Sequence, residues 1–243
     1  MKILQLFREY AEVARLQKEM AAFFPSFAEQ KEWLNKLGRV DKHVKSAHNA
    51  SHILQFLVAI LKLPASVPGC IVEAGAYKGA STCKISLFAD HVNRDVVVFD
   101  SFEGLPANNE AHEKSLEGHS IKGWFDEGNF EGSLDEVRSN ITAYGKIERC
   151  SFIKGWFENT MPMFSQPVAL AYLDVDLASS TKTCLKNLYP LLSPGGSIYS
   201  QDGDFPLVVE VFNNEKFWKE EVGCVELPQV TGLGKKITVI TKR

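Results

Sequence analysis

The stretch Cys-Ile-Val-Glu-Ala-Gly-Ala-Tyr-Lys-Gly at Cys70–Gly79 decides the fold. It begins with Cys70–Glu73, an apolar run that is continuous rather than alternating, which is typical of a strand buried on both faces of a parallel sheet. Gly75 and Gly79 follow, and their backbone freedom allows a tight turn and a close approach of the chain to a ligand. We therefore predict a strand that delivers a glycine-containing turn to the edge of a sheet.

The rest of the chain beyond this turn alternates between short apolar runs and longer amphipathic ones. Such alternation predicts a right-handed, doubly wound α/β sheet, which binds ligands beyond the carboxyl ends of its strands. The predicted strands are Cys70–Glu73, Val96–Asp100, Ser151–Lys154, Val168–Val175 and Ser197–Ser200. The predicted helices are Ser81–Ala89, Ser133–Tyr144 (with a capping pattern at Ser133 and Glu136) and Ser179–Leu192. A terminal hairpin is predicted from Val222–Glu226 and Lys236–Lys242, joined through Gly232 and Gly234.

The first 68 residues predict a helical extension before a sheet domain of residues 69–243. A first helix ends near Pro25, and a second runs from about His48 to Leu61. The apolar stripe of the first helix consists of Ile3, Phe7, Tyr10, Ala14, Met20 and Phe24. Because this stripe needs burial, we predict that it covers the site or pairs with a second subunit in a homodimer.

One long segment, Leu105–Gly132, does not fit the alternation of strands and helices. It is rich in Glu, Asn, His and Gly, with Trp124 and Phe125 embedded in it. A structureless stretch of this length is typical of a functional flap or of a disordered loop. We predict a flap over the site, and refer to residues 105–132 as the flap below.

Composition excludes several classes of protein. The chain has 243 residues, 45% of them apolar, which is enough for the core of one large α/β unit. Its net charge of −3 lacks the basic excess of proteins that bind nucleic acid. No apolar run approaches the roughly 20 residues that span a bilayer, and we predict neither a signal peptide nor a membrane partner. Its 5 scattered cysteines form no Cys-x-x-Cys pair, which indicates a reduced, cytoplasmic protein.

The turn after the first strand departs from the dinucleotide-binding fingerprint Gly-x-Gly-x-x-Gly, because Tyr77 replaces the middle glycine. Glu73, at the base of the turn, would repel a phosphate and would suit a cationic ligand such as an aminoacyl sulfonium. Asp100 ends the second strand, where a carboxylate can accept both ribose hydroxyls of an adenosine. The alternative for Asp100 is that it caps a following helix.

Carboxylates also follow the fourth and fifth predicted strands, as Asp174 and Asp176 and as Asp202 in Gln201–Asp204. Several charges at one rim of a buried sheet are costly unless they are compensated. Hard oxygen ligands gathered in this way suit Mg²⁺ or a similar ion. For Asp176, capping of the next helix is an equally good interpretation.

Five blocks of sequence resemble the macrocin O-methyltransferase (TylF-like) family. They are Cys70–Thr82, Phe99–Pro106 (FDSFEGLP), Lys154–Pro162, Tyr172–Thr181 (YLDVDLASST) and Leu188–Gly196. The resemblance runs from about Asp41 to the C-terminus. It implies a Rossmann-like class I methyltransferase fold with a seven-stranded, mostly parallel sheet. It also implies S-adenosylmethionine as methyl donor, commonly Mg²⁺, and a hydroxylated small-molecule acceptor such as the sugar of a natural product.

The resemblance also implies roles for individual residues that match the family's motifs. Glu73, Gly75 and Gly79 would line the methionine end of the cofactor. Asp100 would hold the ribose, and residues 155–157 would lie beside the adenine. The complete set of predicted cofactor contacts is Glu73, Gly75, Ala76, Tyr77, Gly79, Ser81, Asp100, Ser101, Phe102, Gly155, Trp156, Phe157 and Asp174.

The resemblance implies that Asp174 is the general base and, with Gln201 and Asp202, a metal ligand. The family commonly has two adjacent acids after the fifth strand, and here the pair is Gln201-Asp202. An amide oxygen can ligate a metal, but the site then has one negative charge less.

We therefore predict an enzyme that transfers a methyl group from S-adenosylmethionine to a small-molecule hydroxyl. The alternatives are an NAD-dependent oxidoreductase, a non-catalytic protein of the same fold, and a methyltransferase that acts on nitrogen or a phenol. His43, His48 and His52 lack the further ligand that a zinc site needs, and we interpret them as helix-surface or lid residues, with His48 near the cofactor. Trp124, Phe125 and Trp156 would form either an acceptor platform or part of the core.

Overall fold

The computed structural model describes residues 2–49 and 51–242, and among these the side chains from residue 11 onward. Its strands are β1 (Cys70–Ala74), β2 (Val96–Asp100), β3 (Cys150–Lys154), β4 (Val168–Leu173), β5 (Leu192–Ser200), β6 (Gln229–Thr231) and β7 (Thr238–Thr241). Its α-helices are α1 (Lys2–Ala21), α2 (Phe27–His43), α3 (Leu54–Lys62), α4 (Ala80–His91), α5 (Leu134–Tyr144), α6 (Phe157–Thr160), α7 (Ala178–Leu191) and α8 (Pro206–Asn213).

The strands form a seven-stranded sheet in the order β3-β2-β1-β4-β5-β7-β6. β1 to β5 pair in parallel, whereas β7 is antiparallel to both β5 and β6. This confirms the predicted mostly parallel sheet with a C-terminal antiparallel hairpin. Strand order reverses between β1 and β4, and the carboxyl ends of these two strands flank the crevice where such sheets bind ligands.

The hairpin itself begins later than the sequence pattern predicted. Its first strand is Gln229–Thr231, and the prediction of Val222–Glu226 is wrong. Thr231 pairs with Val239 across the turn, so the strand must lie directly before that turn. Gly232 takes a φ of +82°, and a Cβ there would lie 2.3 Å from the carbonyl oxygen of Ile237. The glycine therefore fixes the turn, and the turn fixes which residues can pair.

Two further regions differ from the prediction. β5 begins at Leu192 rather than at Ser197, because Leu192 already pairs with Val168 of β4; the register then shifts, and pairing resumes between Ser197 and Leu170. Residues 206–221, over which no helix was predicted, contain α8 and a π-helical turn, Phe217–Glu221.

The N-terminal region contains three helices where two were predicted. α2 was missed, and α3 begins at Leu54, six residues after the predicted start at His48. Met20 and Phe24 of the apolar stripe are buried in a hydrophobic cluster with α3 and the sheet, so this part of the stripe is covered within the chain. The side chains of Ile3, Phe7 and Tyr10 lie outside the described residues. The division of the chain at residues 68 and 69 stays a prediction.

The flap crosses the carboxyl edge of the sheet. Apart from an isolated antiparallel bridge between Lys114 and Ser120, no helix or strand is assigned to it. Ile121 and Phe125 anchor it in the main hydrophobic core, where both are buried. Among the described residues, no helix has the length and apolar character that crossing a membrane requires.

Candidate active site

A cavity of about 700 Å³ opens at the carboxyl ends of β1, β2 and β4. The residues predicted to contact a cofactor that line it are Gly75, Tyr77, Asp100, Ser101, Gly155, Trp156, Phe157 and Asp174. The other predicted contacts, Glu73, Ala76, Gly79, Ser81 and Phe102, are not among the residues that line the cavity.

The glycine turn after β1 presses against the end of β4. Gly75 takes a φ of +87°, and a Cβ at this position would lie 1.9 Å from the carbonyl oxygen of Asp174. Only glycine fits both the conformation and the space. Tyr77, which replaces the middle glycine of the dinucleotide fingerprint, also takes a positive φ of 49°. Its ring packs edge-on against Phe130 of the flap, with 5.9 Å between the centroids.

Asp100 connects the turns that follow β1 and β2. Its Oδ2 accepts a hydrogen bond from the backbone N–H of Ala76, and its Oδ1 accepts one from Phe102, both at 2.6 Å. Burial raises the pKa of Asp100, while the backbone donors act in the opposite direction. No helix begins directly after Asp100, because the chain continues into the flap. The interpretation of Asp100 as a helix cap is therefore wrong.

Glu73 lies within β1 and is fully buried. Neither carboxyl oxygen has a hydrogen-bond partner among the described residues. Burial raises the pKa of Glu73 to about 8, so the carboxyl group is largely protonated at neutral pH. In this structure Glu73 is a buried group behind the glycine turn, and its predicted contact with a cofactor stays a prediction.

We expect Glu73→Gln to reduce the pH dependence of stability. The pKa of Glu73 is about 8 in the folded protein and near 4.5 in an unfolded chain. Between these values the folded state binds more protons, so this group's contribution to stability is lost as pH rises from about 5 to 8. One pKa unit corresponds to about 1.4 kcal/mol. Urea unfolding at pH 5 and pH 9 should show a smaller loss in the variant than in the wild type, by a few kcal/mol. An equal loss of stability in both proteins would contradict the raised pKa of Glu73 in the folded state.

Three carboxylates meet at the rim beyond β4 and β5. Asp174, Asp176 and Asp202 each place a carboxylate oxygen within 4.8 Å of the other two. The Oδ2 of Asp202 accepts hydrogen bonds from the backbone N–H groups of Val175 and Asp176, both at 3.1 Å. Its Oδ1 is buried and has no partner among the described residues. An unsatisfied buried carboxylate oxygen beside two other carboxylates fits a divalent cation with oxygen ligands.

The pKa values of Asp176 and Asp202 are raised by burial and by repulsion from neighbouring carboxylates. Burial and the charge of Asp174 raise the pKa of Asp202 to about 7. Burial and the charges of Asp202 and Asp174 raise the pKa of Asp176 well above its ordinary value. Lys236 Nζ lies 3.3 Å from Asp204 Oδ1 and adds a partly buried positive charge. A bound cation would compensate the remaining charge and favour the ionised carboxylates.

Gln201, predicted as a metal ligand, is engaged elsewhere. The hydroxyl group of Tyr172 donates a hydrogen bond of 2.6 Å to Gln201 Oε1. Gln201 Nε2 lies 3.2 Å from His52 Nδ1. Burial and the neighbouring charges of His48 and Lys236 lower the pKa of His52 to about 4, so this imidazole is neutral. The structure thus brings Asp176 to the other two acids, whereas the oxygen of Gln201 is held by Tyr172.

His48 reaches the same rim from the connection between α2 and α3. Its Nε2 lies 2.7 Å from Asp174 Oδ2, and its ring lines the cavity. Burial opposes the charged form of His48, but the charge of Asp174 and the hydrogen bond to it outweigh burial and raise the pKa of His48. His43 lies in a different environment from His48, since its ring stacks on Tyr144 at 5.3 Å between centroids.

The predicted aromatic platform is divided. Trp156 lines the cavity, Phe125 belongs to the core, and Trp124 is half exposed. The capping alternative for Asp176 is wrong, because the helix that follows is capped by Glu110 of the flap, whose carboxylate accepts hydrogen bonds from the N–H groups of Ala178 and Ser179. No spacing of residues in the sequence predicts this contact between Glu110 and the following helix.

A known protein family matches most of this chain. Residues 52–225, more than half of the chain, match the model of the macrocin O-methyltransferase (TylF) family. The chain belongs to this family. The residues matched include β1 to β5, the flap, both loops that carry the acids, and the glycine turn.

Two curated relatives of this TylF-family chain come from Streptomyces. One is the 8-demethyl-8-(2,3-dimethoxy-alpha-L-rhamnosyl)-tetracenomycin-C 4'-O-methyltransferase of Streptomyces olivaceus, 35% identical over 61% of this chain. The other is the demethyldecarbamoylnovobiocin O-methyltransferase of Streptomyces niveus, 33% identical over 56% of this chain. The alignments cover 58% and 53% of these relatives' own lengths.

Solved structures share the fold. The O-methyltransferase NovP superimposes with a TM-score of 0.61 at 22% identity, covering 81% of this chain and 83% of its own. The calicheamicin methyltransferase CalS11 superimposes with a TM-score of 0.59 at 18% identity, covering 91% and 95%. At these identities the likeness concerns the fold, and it supports the sheet order described above.

Proposed function

We propose that the protein is an S-adenosylmethionine-dependent O-methyltransferase that acts on a hydroxyl group of a small molecule, with help from a divalent cation such as Mg²⁺. One observation carries the proposal: Asp100 and Asp174 line the same cavity from the ends of β2 and β4, on either side of the glycine turn. In a chain of the TylF family, this supports a role for Asp100 at the nucleoside of the donor and a role for Asp174 at the acceptor, within one chamber.

For the donor, the polar and aromatic sides of the cavity support binding of an adenosine. Asp100 offers carboxylate lone pairs to the ribose hydroxyls, and residues 155–157 provide an apolar wall for the base. The bound cofactor supplies a methyl group on a sulfonium leaving group. The work of the chain is therefore to orient the acceptor oxygen in line with that methyl group and to exclude water.

For the acceptor, Asp174, Asp176 and Asp202 would hold the metal, which as a Lewis acid lowers the pKa of a bound hydroxyl group. Asp174 would accept the proton of the acceptor's hydroxyl group. His48 is hydrogen-bonded to Asp174 and fixes the orientation of its carboxylate. Lys236 partly compensates the negative charge of the rim, so the site tolerates three neighbouring acids.

We expect the purified protein to bind S-adenosylhomocysteine in titration calorimetry and to show no heat with NADH. Methyl transfer to a panel of sugars, amines and phenols, followed as release of S-adenosylhomocysteine, should favour a sugar or another alcohol. A chelator should suppress this turnover, and Mg²⁺ should restore it. Binding of NADH alone would support the oxidoreductase, and transfer only to amines or phenols would overturn the choice of acceptor. Turnover that survives the chelator would remove the metal from the proposal.

The sugar-type acceptor is supported by the Streptomyces olivaceus relative, whose name describes methylation of a rhamnosyl compound. The name of the Streptomyces niveus relative describes methylation of demethyldecarbamoylnovobiocin, a further small molecule. A cytoplasmic location is supported by the free thiols of all 5 cysteines. The absence of a nucleic-acid partner rests on the net charge of −3, and a homodimer on the part of the α1 stripe before residue 11. These points stay predictions.

A further inference from the structure

The flap is hydrogen-bonded to α7, the helix that follows Asp174 and Asp176. Glu110 Oε2 accepts a hydrogen bond of 2.7 Å from the N–H of Ala178, and Oε1 accepts one of 2.8 Å from Ser179. These are the first N–H groups of α7, whose N-cap residue Leu177 provides no side-chain hydrogen bond. α7 also has no acidic residue in its first turn. A carboxylate 68 residues away in the sequence therefore supplies the missing cap and interacts favourably with the helix dipole.

Glu110 is itself held in a fixed position. Its Oε2 lies 3.0 Å from Nε2 of His112, whose side chain is only 3% exposed and packs edge-on against Phe125 at 4.7 Å. Burial opposes ionisation of Glu110, but hydrogen bonds from His112, Ser179 and Ala178 keep the pKa at about 2. The cap is therefore charged throughout the working pH range of a protein.

A second attachment joins the flap to the loop after β5. The N–H of Leu116 donates a hydrogen bond of 2.8 Å to the carbonyl oxygen of Asp204, two residues after Asp202. The flap thus contacts both loops that carry the acids. The flap therefore links these two loops by hydrogen bonds and also lines the cavity.

The acid loop, residues 174–177, is held from two sides. On one side, Asp202 accepts hydrogen bonds from the N–H groups of Val175 and Asp176. On the other side, the loop enters α7, whose first turn is fixed by Glu110. Between these points Asp176 takes a φ of +59°, a conformation that non-glycine residues keep only when their surroundings enforce it.

We propose that Glu110 is a positioning residue: by capping α7 it holds the acid loop in the conformation that brings Asp174 and Asp176 to Asp202. Among the described residues, Glu110 makes no hydrogen bond to the turns after β1 and β2, so we expect cofactor binding to change little when this cap is removed. The inference rests on the proposed function for its effect on a bound metal, whereas its effect on the loop itself can be measured without any ligand.

The test compares Glu110→Ala and Glu110→Gln with two controls in the full chain. Glu113→Gln removes the same charge from an exposed position of the flap, and Ser26→Ala removes the cap of α2 by deleting the hydroxyl that accepts from Glu29. Hydrogen exchange should become about tenfold faster at residues 174–179 and in the flap of Glu110→Ala. Mn²⁺ affinity should fall about tenfold, while S-adenosylhomocysteine affinity stays within about twofold. Glu110→Gln, which keeps one acceptor oxygen, should be intermediate.

Unchanged exchange at residues 174–177 in both Glu110 variants would overturn the proposal. So would an equal loss of Mn²⁺ affinity in Ser26→Ala, because that result would mean general destabilisation. If Glu110→Ala does not fold, Glu110→Gln alone decides by the same two measurements. If the wild type binds S-adenosylhomocysteine but no Mn²⁺, the metal part of the proposed function fails, and exchange at residues 174–177 decides the role of Glu110.

Discussion

Asp174→Asn is expected to reduce turnover by roughly a thousandfold while leaving S-adenosylhomocysteine affinity nearly unchanged. The substitution removes the group that accepts the proton and takes one negative charge from the metal ligands, but it keeps the size of the side chain. Turnover is measured as release of S-adenosylhomocysteine with the best acceptor of the panel, and affinity by titration calorimetry. Asp126→Asn, an exposed acid of the flap, serves as the matched control and should behave as the wild type.

Full activity of Asp174→Asn would exclude Asp174 as base and as an essential ligand. A loss of turnover accompanied by an equal loss of S-adenosylhomocysteine affinity would assign Asp174 to cofactor binding instead. The neighbouring imidazole offers an independent readout, because Asp174 is the main cause that raises the pKa of His48. In the variant the pKa of His48, followed by NMR, should therefore fall.

Asp100→Ala is expected to weaken S-adenosylhomocysteine binding by about a hundredfold. The substitution removes the acceptor for the ribose hydroxyls and leaves the N–H groups of Ala76 and Phe102 without their partner. Both turns that shape the donor half of the cavity should loosen as a result. Titration calorimetry measures the effect directly.

Asp95→Asn is the matched control for this experiment. Asp95 lies directly before β2, and its side chain is 77% exposed. The same loss of charge there should leave the affinity unchanged. Wild-type affinity in Asp100→Ala would contradict the assignment of the donor half, even if turnover fell.

Much of the fold could be predicted from the sequence because buried parallel strands read as continuous apolar runs. β2 has the predicted bounds, and the other four parallel strands were found with errors at their ends. The strand at the edge of the sheet was harder to predict from the sequence. Val222–Glu226 has an apolar pattern that suits a strand, but pairing with β7 depends on the distance from the turn at Gly232, which apolar periodicity does not measure.

α2 could have been predicted, because the sequence contains a signal for the start of this helix that the prediction missed. Ser26 and Glu29 form a complete capping box, with the Ser26 hydroxyl accepting from the N–H of Glu29 and the Glu29 side chain accepting from the N–H of Ser26. The same motif correctly predicted the start of α5 at Ser133. Pro25 was interpreted as the end of one helix, and the beginning of the next went unnoticed.

In the candidate site, residues at strand ends could be predicted, but their partners could not. The position of Asp174 after β4 and of Asp202 after β5 follows from the sheet. That Tyr172 holds the oxygen of Gln201 depends on side-chain conformations and on competition between hydrogen bonds, which spacing along the chain does not contain. Long-range contacts such as those of His48 and Glu110 were beyond sequence reasoning for the same reason.

The contact between Gly75 and the carbonyl group of Asp174 has a consequence for redesign. Backbone touches backbone there, which fixes the distance between the donor turn and the start of the acid loop, while Asp202 and Glu110 hold the residues beyond it. Leu105 and Phe130, near the two ends of the flap, also line the cavity. Transplanting a flap from another family member would therefore exchange the acceptor wall without changing the spacing between methyl donor and acids, provided that the graft retains Glu110.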